Sequence, residues 1–278
     1  MPSNIFNLVG AWVHDFSPFL GPHWGNIGLR YYGLAYLLGF LGSVMLLRLY
    51  HRAGRSPFGM NTISDLMTYI VLGVLIGGRI GYFLLYQLGT AGTDPLAVLR
   101  VWEGGMASHG GMLGVLLALL WYSRRRAVPF FHLSDLIVST APIGLLLGRI
   151  ANFINGELWG KPTNAPWAFI FENTGGGPHP RHPSQLYEAF WEGALLLAFM
   201  QWRFWCSEAV QRKPGRLSGE FLVAYAIARS IGEVFREPDA SLILGLSRGT
   251  FYSIFMIATG TWLIVRTGST PRGREPNR

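Results

Sequence analysis

One cysteine, Cys206, stands in 278 residues. It excludes an internal disulfide, and it reads as a small apolar filler rather than a nucleophile. Lysine is almost as scarce: Lys161 and Lys213 are the only two, and both fall between apolar runs. A retinal-type Schiff base inside a helix bundle is therefore excluded. The five aspartates (15, 65, 94, 135 and 239) are isolated from one another. A divalent metal held beside phosphate oxygens needs clustered carboxylates, so neither a catalytic metal nor any other cofactor is expected. No basic residue precedes Arg30, so the start lacks the basic region of a cleaved signal peptide. Charged residues make up only 14 % of the chain, and no repeat of solenoid or inverted-transporter type is visible.

What fills the chain instead is apolar: hydrophobic residues are 50 % and aromatics 14 %. About seven runs approach the roughly 20 residues that cross a bilayer, at 29–48, 66–88, 108–123, 135–155, 188–205, 218–236 and 250–266. The expected fold is an all-α polytopic membrane bundle with small extracytoplasmic loops. One integral-membrane domain covers 1–267, and a basic tail, 268–278, is expected to be disordered. Small-xxx-small spacings at Gly73–Gly77–Gly81, Gly110–Gly114 and Gly144–Gly148 mark close helix approach. The Gly/Pro-rich stretch from Lys161 to Pro183 reads as a loop.

A net charge of +8 suggests nucleic acid, but the placement of the charges argues otherwise. Fourteen of the 23 basic residues follow the first, third, fifth and seventh runs. The positive-inside rule then sets the N-terminus outside and the C-terminus in the cytoplasm.

That orientation gathers the polar residues of the helices at one depth. Helices two, four and six run outward, and their later halves carry Arg79; Arg149, Asn152, Asn155 and Glu157; and Tyr225, Arg229, Glu233 and Arg236. Helices one and three run inward, and Tyr32 and His109 stand near their starts. Ionisable groups at such depth are costly and mark a site by default. Residues 225, 229, 233 and 236 form one helical stripe; Arg149 and Asn152 share a face. Two arginines facing one cavity repel unless carboxylates or an anion intervene, and a phosphate answers both through paired hydrogen bonds. His109 lies among glycines that permit close approach. Arg79 is equally readable as a structural ion-pair partner.

Two rivals stay open at this level. Gly245-Leu246-Ser247-Arg248-Gly249 matches the G-x-S-x-G pattern, whose serine needs a strand–turn–helix setting. An outward-facing arginine cavity also suits an anion or lipid transporter or binding protein. The inner halves of the helices are apolar, which favours an enzyme or lipid site open to one leaflet.

Residues 148–160, Gly-Arg-Ile-Ala-Asn-Phe-Ile-Asn-Gly-Glu-Leu-Trp-Gly, resemble the signature of the prolipoprotein diacylglyceryl transferase family. Similar blocks follow in family order: Tyr31-Tyr32-Gly33 with Tyr36, Gly77-Gly78-Arg79-Ile80-Gly81-Tyr82, Gly104-Gly105-Met106 with His109-Gly110-Gly111, and Arg181-His182-Pro183-Ser184-Gln185-Leu186-Tyr187-Glu188. Arg229, Glu233, Phe235-Arg236 and Pro238-Asp239 complete the series. The resemblance implies transfer of the diacylglyceryl group of phosphatidylglycerol to the lipobox cysteine of a preprolipoprotein signal peptide, forming a thioether and releasing glycerol phosphate. It also implies the bacterial inner membrane, with an active site toward the outer leaflet. By the same resemblance His109 is a candidate base, and Arg149 binds the lipid phosphate with Asn152 and Glu157 orienting it. Arg229, held by Glu233, serves the leaving group or thiolate. Tyr32 contacts the head group and Gly160 allows close backbone approach, while Tyr225, Arg236 and Arg79 complete the lipid-binding set.

Overall fold

The computed structural model describes residues 11–25, 28–56, 58–88, 94–100, 104–238 and 241–268. Asp239 and the expected tail from 269 onward lie outside the described residues. The chain is mainly helical: α1 Tyr31–Arg52, α2 Met60–Tyr86, α3 Ser108–Arg126, α4 Phe130–Asn155, α5 Ser184–Glu188, α6 Leu196–Cys206, α7 Ala209–Arg212, α8 Arg216–Phe235 and α9 Arg248–Gly268. A π-helical stretch, Ala189–Leu195, joins α5 to α6. Among the described residues three helices, α1, α2 and α4, are long and apolar enough to cross a membrane. The all-α expectation holds, with one addition. Three strands of two residues, β1 Trp12–Val13, β2 Phe169–Ile170 and β3 Pro180–Arg181, form a small sheet in the order β1-β2-β3.

Several helices outrun the apolar stretches that announced them. α2 begins at Met60 rather than 66, and α4 at Phe130 rather than 135. Hydropathy falls where side chains turn polar, but the hydrogen-bond ladder continues until its carbonyls and amides find other partners. Asn61, Thr62, Ser64 and Asp65 are thus helical although they are polar.

The chain divides into two compact units, residues 44–136 and the remainder. In the first, α2 and α3 meet along a glycine seam. A Cβ built on Gly77 would lie 2.4 Å from the Gly110 carbonyl oxygen, and one on Gly73 would lie 2.6 Å from that of Gly114. Bare backbone on both sides is what lets the axes come this close. Tyr122 Oη donates to Thr62 O at 3.2 Å, and Arg126 pairs with Asp65 at 3.0 Å near the far end. Gly144 and Gly148 behave differently: a Cβ on either would meet nothing within 4 Å. The close approach at Gly144 is seen from the other side: a Cβ on Gly39 of α1 would be 3.3 Å from Gly144 Cα.

In the second unit α8 packs along α9, where Gly219 and Gly260 oppose each other. β1 pairs in parallel with β2, which pairs antiparallel with β3. This ties the segment before α1 to the loop between α4 and α5. His14, buried under that sheet, shares a 2.7 Å hydrogen bond with the carbonyl of Phe153 in α4.

Candidate active site

The end of α4 turns sharply. Gly156 adopts φ 67° and Leu158 φ 58°, and the Glu157 amide donates to the Asn152 carbonyl at 3.1 Å. The chain therefore doubles back, and the Glu157 carboxylate returns beside the helix it has just left. Its Oε1 accepts from Tyr32 Oη and, at 2.9 Å, from Asn152 Nδ2. Asn152 also donates to the Tyr32 oxygen. Behind this trio, Gln185 Nε2 donates to the Glu157 carbonyl at 2.6 Å and Ser184 Oγ to that of Leu158 at 3.0 Å, fixing the turn from the start of α5. Asn155, the last residue of α4, keeps a buried Oδ1 that has no hydrogen-bond partner among the described residues.

Gly160 is pinned by backbone on two sides. Its amide donates to His182 O at 2.9 Å, and a Cβ there would sit 2.6 Å from that oxygen and 2.7 Å from Phe235 O. The close approach expected of Gly160 is thus to the chain's own segments at 182 and 235.

Beside this trio lies a six-charge cluster. Arg149 reaches Glu188 Oε2 and Glu192 Oε2, each at 2.9 Å. Arg229 reaches Glu188 Oε1 at 2.8 Å and Glu192 Oε1 at 3.3 Å, and it pairs with Glu233 one turn along α8. Arg236 approaches Glu188 Oε1 at 3.3 Å. The Tyr225 hydroxyl is within electrostatic reach of Glu192, Arg149 and Arg229. Exposure within the cluster is uneven. The carboxylates of Glu188 and Glu192 are 0 % exposed, while the side chains of Arg149 and Arg229 keep 15 % and 14 %. The two carboxylates are fully enclosed, and the arginine side chains keep a small residual exposure.

Of the two ways to relieve the repulsion between converging arginines, the structure supplies carboxylates. Three arginines face Glu188, Glu192 and Glu233, and the cluster is formally neutral. Glu192 escaped notice in the sequence, although Glu188 and Glu192 are an i, i+4 pair in an otherwise apolar run. That spacing is the signal that could have found it. The cluster also reaches α9. A Cβ on Gly249 would lie 2.2 Å from Glu233 Oε1 and 2.9 Å from Arg229 Nε. The last glycine of the G-x-S-x-G match therefore makes room for this ion pair. Its serine is the N-cap of α9: Ser247 Oγ accepts from the Thr250 amide at 3.2 Å and donates to Thr250 Oγ1 at 3.0 Å. The surroundings are a helix cap, not a strand–turn–helix elbow.

Two expected site residues belong to the unit of residues 44–136. His109 is exposed on the first turn of α3. Arg79 is buried, and its five N–H groups are committed to backbone carbonyls: Val98 at 2.9 Å from Nε, Ala97 and Arg100 at 2.6 and 2.7 Å from Nη2, and Gly104 and Gly105 from Nη1. The Phe83 ring lies 4.8 Å beneath the guanidinium. Arg79 staples backbone rather than pairing with a carboxylate.

Just outside the helices, burial and then the charge of Lys161 hold His182 below its ordinary pKa of 6.5. Its Nδ1 lies 3.2 Å from Tyr187 Oη, to which Trp167 Nε1 donates at 2.6 Å.

Helices apolar and long enough to span a membrane, with a buried arginine–glutamate cluster beside the end of α4, define an α-helical membrane protein. Comparison with known proteins makes the class particular. Residues 22–266 match the family described as prolipoprotein diacylglyceryl transferase. A Rhodospirillum centenum protein named phosphatidylglycerol–prolipoprotein diacylglyceryl transferase is 45 % identical over 251 residues, covering 89 % of this chain and 90 % of its own. Proteins of the same name from Rhizobium meliloti, 42 % identical over 88 % of this chain and 90 % of theirs, and from Photobacterium profundum, 45 % over 87 % and 90 %, agree. The chain belongs to the prolipoprotein diacylglyceryl transferase family.

Proposed function

We propose that Arg149 and Arg229, converging on the two fully buried carboxylates of Glu188 and Glu192, carry this family's reaction in this chain. The reaction moves the diacylglyceryl group of phosphatidylglycerol onto the cysteine thiol of a prolipoprotein. The thiolate sulfur attacks the glycerol carbon, the carbon–oxygen bond to phosphate breaks, and its electron pair leaves with glycerol phosphate. The thiol proton passes to a base, for which His109 is the candidate. A phosphodiester carries one negative charge and the departing phosphate monoester approaches two. Charge therefore grows at the phosphate along the reaction. Preorganised arginines stabilise that growth more than they stabilise the resting lipid, which is the condition for catalysis. A free thiol ionises near about 8.5, and the same arginines favour the thiolate.

In this reading Arg149 holds the phosphate, Arg229, steadied by Glu233, serves the leaving group, and the Tyr32–Asn152–Glu157 trio orients the head group. Tyr225 and Arg236 line the same cluster, Gly160 shapes its wall, and Arg79 shapes the segment it staples. The site opens to the outer leaflet of a bacterial inner membrane, the C-terminus is cytoplasmic, and the acceptor is the lipobox cysteine of a signal peptide.

Purified protein carrying Arg149→Ala, Arg229→Ala, His109→Ala or Ser247→Ala, assayed for lipid transfer from phosphatidylglycerol to a lipobox peptide, tests the reading. Each arginine variant is expected to lose at least about 100-fold in rate, typical for a removed oxyanion donor, while Ser247→Ala stays active. Full activity in both arginine variants would sink the phosphate mechanism; loss in Ser247→Ala alone would return the hydrolase.

A further inference from the structure

Glu192 touches the two arginines assigned to the anion. Its Oε2 receives Arg149 Nε at 3.2 Å and Nη2 at 2.9 Å, and its Oε1 receives Arg229 Nη1 at 3.3 Å. One oxygen faces each guanidinium, so the carboxylate is a spacer as well as a counter-charge. It reaches Arg149 because the π-helical turn presses onto α4 beside it: a Cβ on Gly193 would lie 2.6 Å from Leu146 Cα, one turn before Arg149. π segments of this kind occur frequently at functional sites.

We propose that Glu192 is a positioning residue that fixes the gap between Arg149 and Arg229 and weakens their hold on the bound anion. The inference rests on the lipid-transfer reading above. Two arginines without Glu192 would grip the diester lipid harder, and they would grip the doubly charged product harder still. Stronger binding of both ground states does not raise turnover, and it slows release of glycerol phosphate. Glu192 keeps the cluster near neutrality, so the product can depart.

The test is Glu192→Gln, which keeps the side chain's shape and removes its charge. The expected signature combines slower turnover with tighter binding: kcat falls about tenfold or more, the KM for phosphatidylglycerol falls, and the inhibition constant of added glycerol phosphate falls about tenfold, as one unit of charge-assisted interaction implies. A carboxylate that merely rivets helices would not tighten product binding. Glu220 supplies that comparison, because it joins Arg203 at 2.7 Å and Arg216 at 3.0 Å outside the cluster. Glu220→Gln is expected to lower thermal stability and leave the inhibition constant within about twofold. Unchanged or weaker glycerol phosphate inhibition in Glu192→Gln overturns the proposal. If that variant does not fold, Glu192→Asp retains the charge but withdraws it by one methylene, and it too must lower kcat and the inhibition constant; an unaltered inhibition constant is again refutation. A wild-type protein that transfers nothing from phosphatidylglycerol defeats the underlying reading, whereas active wild type with an indifferent Glu192 variant defeats only this inference.

Discussion

Glu188 joins all three arginines of the cluster, and its removal has a magnitude that can be worked out. Its carboxylate is 0 % exposed and lies within 2.9 Å of Arg149, 2.8 Å of Arg229 and 3.3 Å of Arg236. Glu188→Gln leaves three guanidinium groups against two carboxylates around a fully buried position. Breaking a buried pair by deleting one partner costs about 3–5 kcal/mol, a large part of a total stability of about 5–15 kcal/mol. For a chain of this size each kcal/mol moves the melting temperature by about 2–4 °C, so a fall of about 10 °C is expected. The second step separates charge imbalance from lost packing. Arg236→Met, added to Glu188→Gln, removes the surplus positive charge with a side chain of similar reach. The double variant is expected to recover about half of the loss, an interaction energy of about 2 kcal/mol, within the range found for contacting residues. Thermal unfolding in detergent, followed by tryptophan fluorescence, measures both. A single variant melting within about 2 °C of wild type, or a double variant no more stable than the single, would refute the reasoning.

Two further outcomes follow from particular contacts. Gly249→Ala places a methyl group where Glu233 Oε1 and Arg229 Nε now lie, and the expected result is a transfer rate reduced by about tenfold or more with little change in melting temperature, since a displacement near 1 Å suffices for such a loss; wild-type activity would contradict the tight approach of α9 to the cluster. His182 has a pKa lowered from 6.5 in the folded protein, so the unfolded chain binds its proton first as pH falls. Stability is then retained above about pH 6.5 and lost as pH drops from there through the folded-state value. Melting temperatures compared at pH 7.5 and 5.5 should show a smaller acid-induced drop for His182→Gln than for wild type, and equal drops would show that His182 is not the group responsible.

Much of the fold is legible because membrane helices announce themselves by length and apolarity, and because glycines at four-residue spacing declare a seam. The α2–α3 contact at Gly73, Gly77, Gly110 and Gly114 is of that kind. The sheet is not legible: strands of two residues carry no periodicity, and Trp12 finds Phe169 only through the tertiary fold. The cluster is half legible. Arg149, Arg229, Glu233 and Arg236 stand out as charges within apolar helices, and the structure gathers them. Their counter-charges were hidden by a different effect. Glu188 closes the Arg181–Glu188 block at the edge of an apolar run, and Glu192 lies among Phe190, Trp191 and a run of leucines, where one carboxylate barely changes the hydropathy. Ser247 shows the opposite failure. A five-residue pattern suggested a nucleophile where the local chemistry is that of a helix cap.

Arg79 carries one more consequence. Its five donors hold Ala97, Val98, Arg100, Gly104 and Gly105 through carbonyl oxygens alone. Every amino acid offers that oxygen, so the hold is indifferent to which side chains the segment carries. The limits on composition come from elsewhere, from the positive φ of Gly104 and Gly105 and from the Tyr82 ring that leaves no room for a side chain at Gly105, and lysine, with three donors and no planar fork, could not take over the task of Arg79.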